Sequence, residues 1–213
     1  MELARFNMVE QQIRPWDVLD GRVLDLMKKM RRDHFVPAEM QSLAYADMEI
    51  PLGYGVSMWA PKIEARAIQE LRLKDTDRVL EIGTGSGYLT ALLANLAAHV
   101  TSVEIVPELS ANAARTLASN HVENVTLEVG DAANGWKGTY DAIILTGAVP
   151  VLPEAFQGAL NVGGRLFAIV GDAPLMQARF ITCIGSGLFE ASTLFETCVA
   201  PLQNARQQER FKL

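Results

Sequence analysis

The sequence predicts an α/β fold: a doubly wound, mostly parallel seven-stranded sheet with an N-terminal helical extension and antiparallel C-terminal strands. Three observations carry this expectation. From residue 62 onward, short aliphatic runs alternate with amphipathic helical ones, and right-handed crossovers turn that rhythm into neighbouring parallel strands with helices on both faces. Three glycines, Gly83, Gly85 and Gly87, stand where the first such strand gives way to a helix. After Pro174 two strand-like runs follow one another with no clear helix between them, the pattern of a hairpin at a sheet edge.

Residues 1–32 repeat apolar side chains (Met8, Ile13, Val18, Val23, Leu24, Leu26, Met27, Met30) mostly at intervals of three, four or seven. Two amphipathic helices are expected there, broken at Arg14-Pro15-Trp16, because proline lacks a donor and clashes with the preceding turn. Over 35–61 the periodicity dissolves into prolines, glycines, aromatics and methionines, which reads as an ordered loop with room for a short strand, lying over the main body. A helix from 62 to 73 leads to a strand at 78–82, a helix over 88–97, a strand at 100–104, a helix from 107 and a strand at 125–129. Strands at 140–145 and 165–170 are aliphatic enough for a sheet covered twice. Residues 177–184 and 192–199, parted by Gly185-Ser186-Gly187, make the hairpin. With no repeat or linker tract, 1–213 reads as a single domain, in which 1–61 supplies helices and a loop and 62–213 the ligand-binding core.

Across 213 residues, 49% apolar and 21% charged side chains allow a substantial core and exclude a disordered chain. A formal charge of -6 removes any global attraction to nucleic acid or anionic lipid, and the run Lys28, Lys29, Arg31, Arg32 reads as a solvated surface. Cys183 and Cys198 lack ligand or redox spacing, so both read as reduced core thiols and no metal is expected. Neither a leader sequence nor an apolar run of membrane length is present, which reads as a cytoplasmic protein with no membrane partner.

The chemistry concentrates at Glu81-Ile82-Gly83-Thr84-Gly85-Ser86-Gly87-Tyr88. Glycines at every second position let a ligand lie against the main chain, and the following helix offers unpaired N–H groups. Tyr88 stands where a dinucleotide fingerprint wants its third glycine, and no Gly-Lys-Ser/Thr follows, so neither a dinucleotide site nor a P-loop is indicated. Glu104 ends the second strand, where an acid accepts hydrogen bonds from ribose hydroxyls. Asp131 follows the third, where an acid accepts from an adenine amino group. Together they describe an adenosine pocket at the carboxyl ends of three consecutive strands. His34, His99 and His121 read as structural.

These residues resemble the first motif of the class I S-adenosylmethionine-dependent methyltransferases. Met8-Val9-Glu10-Gln11-Gln12-Ile13, Val23-Leu24-Asp25-Leu26-Met27, Phe35-Val36-Pro37, Ala44-Tyr45-Ala46-Asp47, Pro51-Leu52-Gly53-Tyr54-Gly55, Gly130-Asp131 with Gly135-Trp136, Gly163-Gly164 and Val199-Ala200-Pro201-Leu202 are similar to the protein-L-isoaspartate O-methyltransferase family. The resemblance runs the length of the chain. It implies a Rossmann-like fold, S-adenosyl-L-methionine as cofactor, and methyl transfer to the free carboxylate of an L-isoaspartyl residue in a damaged protein or peptide. It also implies cofactor contacts from Glu81, Gly83, Thr84, Gly85, Ser86, Gly87, Tyr88, Glu104, Ile105, Gly130, Asp131, Ala132 and Thr146. A carboxylate is already an anionic nucleophile at neutral pH, so this chemistry asks for alignment and water exclusion rather than a strong base.

One departure stands in the loop after Gly55. The family reads Gly-Gln-Thr-Ile-Ser-Gln-Pro there, and this chain reads Gly55-Val56-Ser57-Met58-Trp59-Ala60-Pro61. Ser57 then falls on the family threonine and Trp59 on the serine beside the acceptor carboxylate, which makes these two the candidate catalytic residues. The exchange leaves three acceptor readings open: retained isoaspartyl activity, a different acceptor such as a small molecule, or cofactor binding without turnover. Gly147, after Thr146, is expected to leave extra room that compensates for the bulk of Trp59.

Overall fold

In the computed structural model, which describes residues 1–207, the chain opens with helix α1 (Glu2–Asn7). It continues through a π-helical turn (Met8–Ile13), which cannot run on through Pro15 because that residue lacks an N–H, into a 3-10 turn (Arg14–Trp16) that ends at Asp17 in a left-handed conformation. Helix α2 (Gly21–Lys29) starts at Asp20, whose carboxylate accepts from the Arg22 and Val23 N–H groups. The buried side chains Met8, Val9, Ile13, Val23, Leu24 and Met27 join one core with helices α3 (Pro61–Leu71) and α4 (Tyr88–Ala94), so the N-terminal extension covers one side of the sheet.

The principal sheet has the strands β3 (Arg78–Ile82), β4 (His99–Glu104), β5 (Val125–Val129), β6 (Tyr140–Val149), β7 (Leu160–Asp172), β8 (Leu175–Gly185) and β9 (Leu188–Thr197) in the order β5-β4-β3-β6-β7-β8-β9. The pairings from β5 through β7 are parallel and the last two are antiparallel, as expected from the helix-free C-terminal stretch. Helix α5 (Pro107–Ser119) makes the crossover from β4 to β5, and β3 lies between β4 and β6, where the winding direction reverses.

Several local expectations need correction. The loop over 35–61 contains two strands rather than one, β1 (Ile50–Gly53) and β2 (Val56–Met58), paired across a turn at Tyr54 and Gly55 where both residues have positive φ. A short helix, α6 (Glu154–Gly158), precedes β7; its single buried anchor, Phe156, is too sparse a pattern to show a period. The basic run is not all surface. Lys28 pairs with Glu10 and Arg31 with Asp33, but Arg32 is wholly buried. Cys183 is buried as expected, whereas Cys198 is exposed. Among the described residues no helix is long and apolar enough to cross a membrane.

Candidate functional site

A cavity lies at the carboxyl ends of β3, β4 and β6, the end of a parallel sheet at which α/β folds bind their ligands. One wall is the turn between β3 and α4. Gly83, Gly85 and Gly87 have φ of +98°, +53° and +81°, and a β-carbon on Gly83 would stand 2.2 Å from the Thr146 hydroxyl oxygen. That oxygen in turn lies 2.8 Å from the Ile82 carbonyl and 2.7 Å from the Gly83 carbonyl, so Thr146 ties the end of β6 to the turn.

The two acids are held by main chain. Glu104 accepts from the Gly85 N–H at 2.8 Å on one oxygen and from the Val106 N–H at 3.0 Å on the other. Asp131 accepts from the Ala133 N–H at 3.1 Å and from the Asn204 side-chain amide at 2.8 Å. Each carboxylate oxygen retains lone-pair capacity for a ligand donor. The opposite wall comes from β2 and the segment after it, with Val56, Ser57, Met58 and Trp59. The Trp59 indole is 5% exposed and packs edge-on to Phe167, with centroids 6.2 Å apart. A C-terminal segment, Ala200 to Gln203, closes the cavity, and the Gln203 amide donates to the Tyr54 carbonyl at 3.2 Å.

Of the residues singled out in the sequence, Ser57, Trp59, Gly83, Thr84, Gly85, Ser86, Glu104, Ile105, Gly130, Asp131, Ala132 and Thr146 line this cavity. Glu81, Gly87 and Tyr88 do not. Glu81 is fully buried beneath the turn and accepts from the Ser102 and Thr90 hydroxyls at 2.6 and 2.5 Å. Gly87 admits α5, because a β-carbon there would meet that of Ala113 at 3.2 Å. The Tyr88 ring points into the core against Phe35, with Arg32 above its face. Gly147 gives Trp59 no extra room either, since its open side is filled by Leu202, 2.9 Å from where a β-carbon would be.

Glu49, Glu64, Leu52, Leu89 and Gln203 line the cavity unanticipated. For Glu64 a signal existed: it is a lone acid among Pro61, Ile63, Ala65, Ala67 and Ile68 on the buried side of α3.

The family model of protein-L-isoaspartate(D-aspartate) O-methyltransferase matches residues 4–207. A protein-L-isoaspartate O-methyltransferase of Methanoculleus marisnigri is 44% identical over 78% of this chain and 77% of its own. Another, from Marinobacter nauticus, is 37% identical over 93% and 92%. The chain belongs to the protein-L-isoaspartate O-methyltransferase family. The fold agrees: a Plasmodium falciparum structure described as a member of this family, in complex with S-adenosyl-L-homocysteine, superposes with a TM-score of 0.80 at 20% identity, covering 92% of this chain and 97% of its own.

This is therefore an S-adenosylmethionine-dependent methyltransferase, and the cavity fits that cofactor. The glycine turn lines the cavity at Gly83 and Gly85, and two main-chain-anchored carboxylates face the same space, as an adenosine with its ribose diol and exocyclic amine requires. Among the described residues the lining carries the acids Glu49, Glu104 and Asp131, with Glu64 already paired to Arg32, and no lysine, arginine or histidine, which suits a sulfonium cation.

Burial moves two carboxyls far from their ordinary range. It pushes Glu64 up to about 7 against the opposing pull of Arg32, and Glu81 up to about 8 against the hydrogen bonds from Ser102 and Thr90. Burial also raises Glu49, on the acceptor side of the cavity.

Proposed function

We propose that this enzyme methylates the free carboxylate of L-isoaspartyl residues in peptides and proteins, with Ser57 and Trp59 on the acceptor side and Gly83, Gly85, Glu104, Asp131 and Thr146 on the cofactor side. The observation that carries this reading is the continuity of one cavity from Asp131 and Glu104 to Ser57 and Trp59. S-adenosylmethionine, when bound, supplies an electrophilic methyl group on a sulfonium.

The chain's own contribution is placement and a suitable medium. An acceptor carboxylate is ionised at neutral pH and needs no base. It accepts hydrogen bonds only, and both the Ser57 hydroxyl and the Trp59 indole N–H can donate. The exchange of serine for tryptophan therefore removes an acceptor from the wall but keeps a donor. With no lysine, arginine or histidine among the described residues of the lining, these residues hold the nucleophile in no ion pair that would blunt it. Apolar neighbours Val56, Met58 and Leu52 exclude water from a reaction that consumes a cation and an anion together.

The same apolar wall favours a second reading, a flatter and less polar acceptor stacked on Trp59. Incubation with methyl-labelled S-adenosylmethionine and an isoaspartyl peptide separates the two. Volatile methanol released from the labile ester is expected with that peptide and not with its normal aspartyl counterpart. Cofactor binding without release would remove the isoaspartyl assignment.

A further inference from the structure

Arg32 is fully buried, and its guanidinium makes three contacts that meet at the acceptor wall. It pairs with the carboxylate of Glu64, donates to the main-chain carbonyl of Trp59 at 2.7 Å, and lies 4.8 Å from the centre of the Tyr88 ring. Glu64 is itself buried and lines the cavity, as Trp59 does. The pair thus joins the 3-10 turn Arg32–His34, the segment following β2, and α3 at one point.

Stability alone is a weak reason for this arrangement. Taking both charges out of water carries a desolvation cost, and an apolar replacement of the same volume is often no worse. The Arg32 Nε also lacks a partner, which further lowers the benefit. What an arginine does provide is a rigid planar fork able to reach a carboxylate and a carbonyl at once, which a lysine ammonium on a flexible stem does not fix in the same way.

We propose that Arg32 and Glu64 are positioning residues for the methyl acceptor: Arg32 fixes the carbonyl of Trp59, and with it the direction in which the indole and Ser57 face the cavity, while Glu64 fixes Arg32. Neither is a catalytic residue. The inference rests on the isoaspartyl reading above and adds to it the device that holds the acceptor wall in place.

The test compares the intact wild-type protein with Arg32→Lys, Glu64→Gln and the double variant Arg32→Met/Glu64→Leu. The readouts are kcat and KM for an isoaspartyl peptide, Kd for S-adenosylhomocysteine, and the thermal midpoint. Glu64→Gln keeps an oxygen that accepts from the guanidinium and is expected to retain kcat/KM within about threefold. Arg32→Lys and the double variant lose the fixed contact to the Trp59 carbonyl and are expected to lose about tenfold or more in kcat/KM, as for one well-placed hydrogen bond. Cofactor Kd is expected to stay within about twofold in all of them, because Glu104 and Asp131 are untouched.

Should Arg32→Lys fail to fold, the apolar double variant carries the comparison. Unchanged acceptor kinetics in folded variants, or a parallel loss of cofactor and acceptor binding, would overturn the proposal. Absence of isoaspartyl turnover in the wild type would remove the proposal and the underlying reading together, whereas wild-type turnover that survives in the variants removes the proposal alone.

Discussion

At Gly83 two demands fall on one residue. Its φ of +98° is a conformation that side chains with a β-carbon rarely adopt, and an added methyl would stand 2.2 Å from the Thr146 oxygen that ties β6 to the turn. Gly83→Ala is expected to cost about 1–3 kcal/mol in backbone strain and to weaken S-adenosylhomocysteine binding about tenfold or more, read by chemical denaturation and calorimetry. Gly163→Ala is the control, because it has φ of +81° and open space around it. It carries strain of the same kind without touching the cavity, so equal losses of binding in both variants would refute the local account. The turn was legible because glycine spacing at a strand end reports main-chain geometry directly. The fate of its neighbours was not, since Tyr88 could equally face a ligand or the core. A helix that begins at Tyr88, just after Gly87, turns that ring toward Phe35 and Arg32, a choice made by residues some fifty positions away in sequence.

Among elements, the segment after β9 illustrates what local pattern leaves out. The sequence marks Ala200-Pro201-Leu202 only through resemblance, yet these residues and Gln203 form a strap across the cavity, with Leu202 packed over Gly83 and Gly147. Main-chain bonds to β6 fasten it, from the Ala148 N–H to the Ala200 carbonyl at 3.0 Å and from the Leu202 N–H to the Ala148 carbonyl at 2.9 Å, together with side-chain bonds from Gln203 to the Tyr54 carbonyl in the β1–β2 turn and from Asn204 to Asp131. Such a short irregular piece has no periodicity to read, and its role comes from where the sheet places it. The Asn204 contact also orients one of the two acids. Asn204→Asp would set a second carboxylate against Asp131, and repulsion near the surface is on the order of 1 kcal/mol. Cofactor affinity is then expected to fall about fivefold at low salt and to recover in part at high salt, where exposed charges are screened. A loss that is insensitive to salt would point instead to displacement of the strap.

For the whole molecule, buried ionisable groups couple folding to pH. Glu81 and Glu64 have pKa values raised by burial to about 8 and about 7, against an ordinary value near 4.5. Between the ordinary and the raised value the folded chain keeps Glu81 protonated while the unfolded chain ionises it, so the unfolded state binds fewer protons and stability falls as pH rises, whereas Glu64 is held in its pair with Arg32. That contribution is fully present below about 4.5 and is lost progressively as pH rises toward about 8. Asp33 and Asp141 act in the opposite sense. Arg31 holds Asp33 well below its usual range. Asp141 is lowered by the Arg78 main-chain N–H and Asn161 in spite of partial burial, and both effects are already saturated above pH 5. The slope from pH 5.5 to 8.5 is therefore set mainly by Glu81, with Glu49 and Glu64 shifted in the same direction. Replacing Glu81 by glutamine leaves a neutral group of the same shape, which accepts from Ser102 and Thr90 through its carbonyl oxygen and has no proton to lose. Urea denaturation across that range is expected to show declining stability in the wild type and a shallower decline in Glu81→Gln, the difference approaching about 1.4 kcal/mol per pH unit where Glu81 alone would ionise on unfolding. Parallel profiles for the two proteins would mean that Glu81 is ionised in the folded state, with its charge compensated by the hydroxyls beneath the glycine turn.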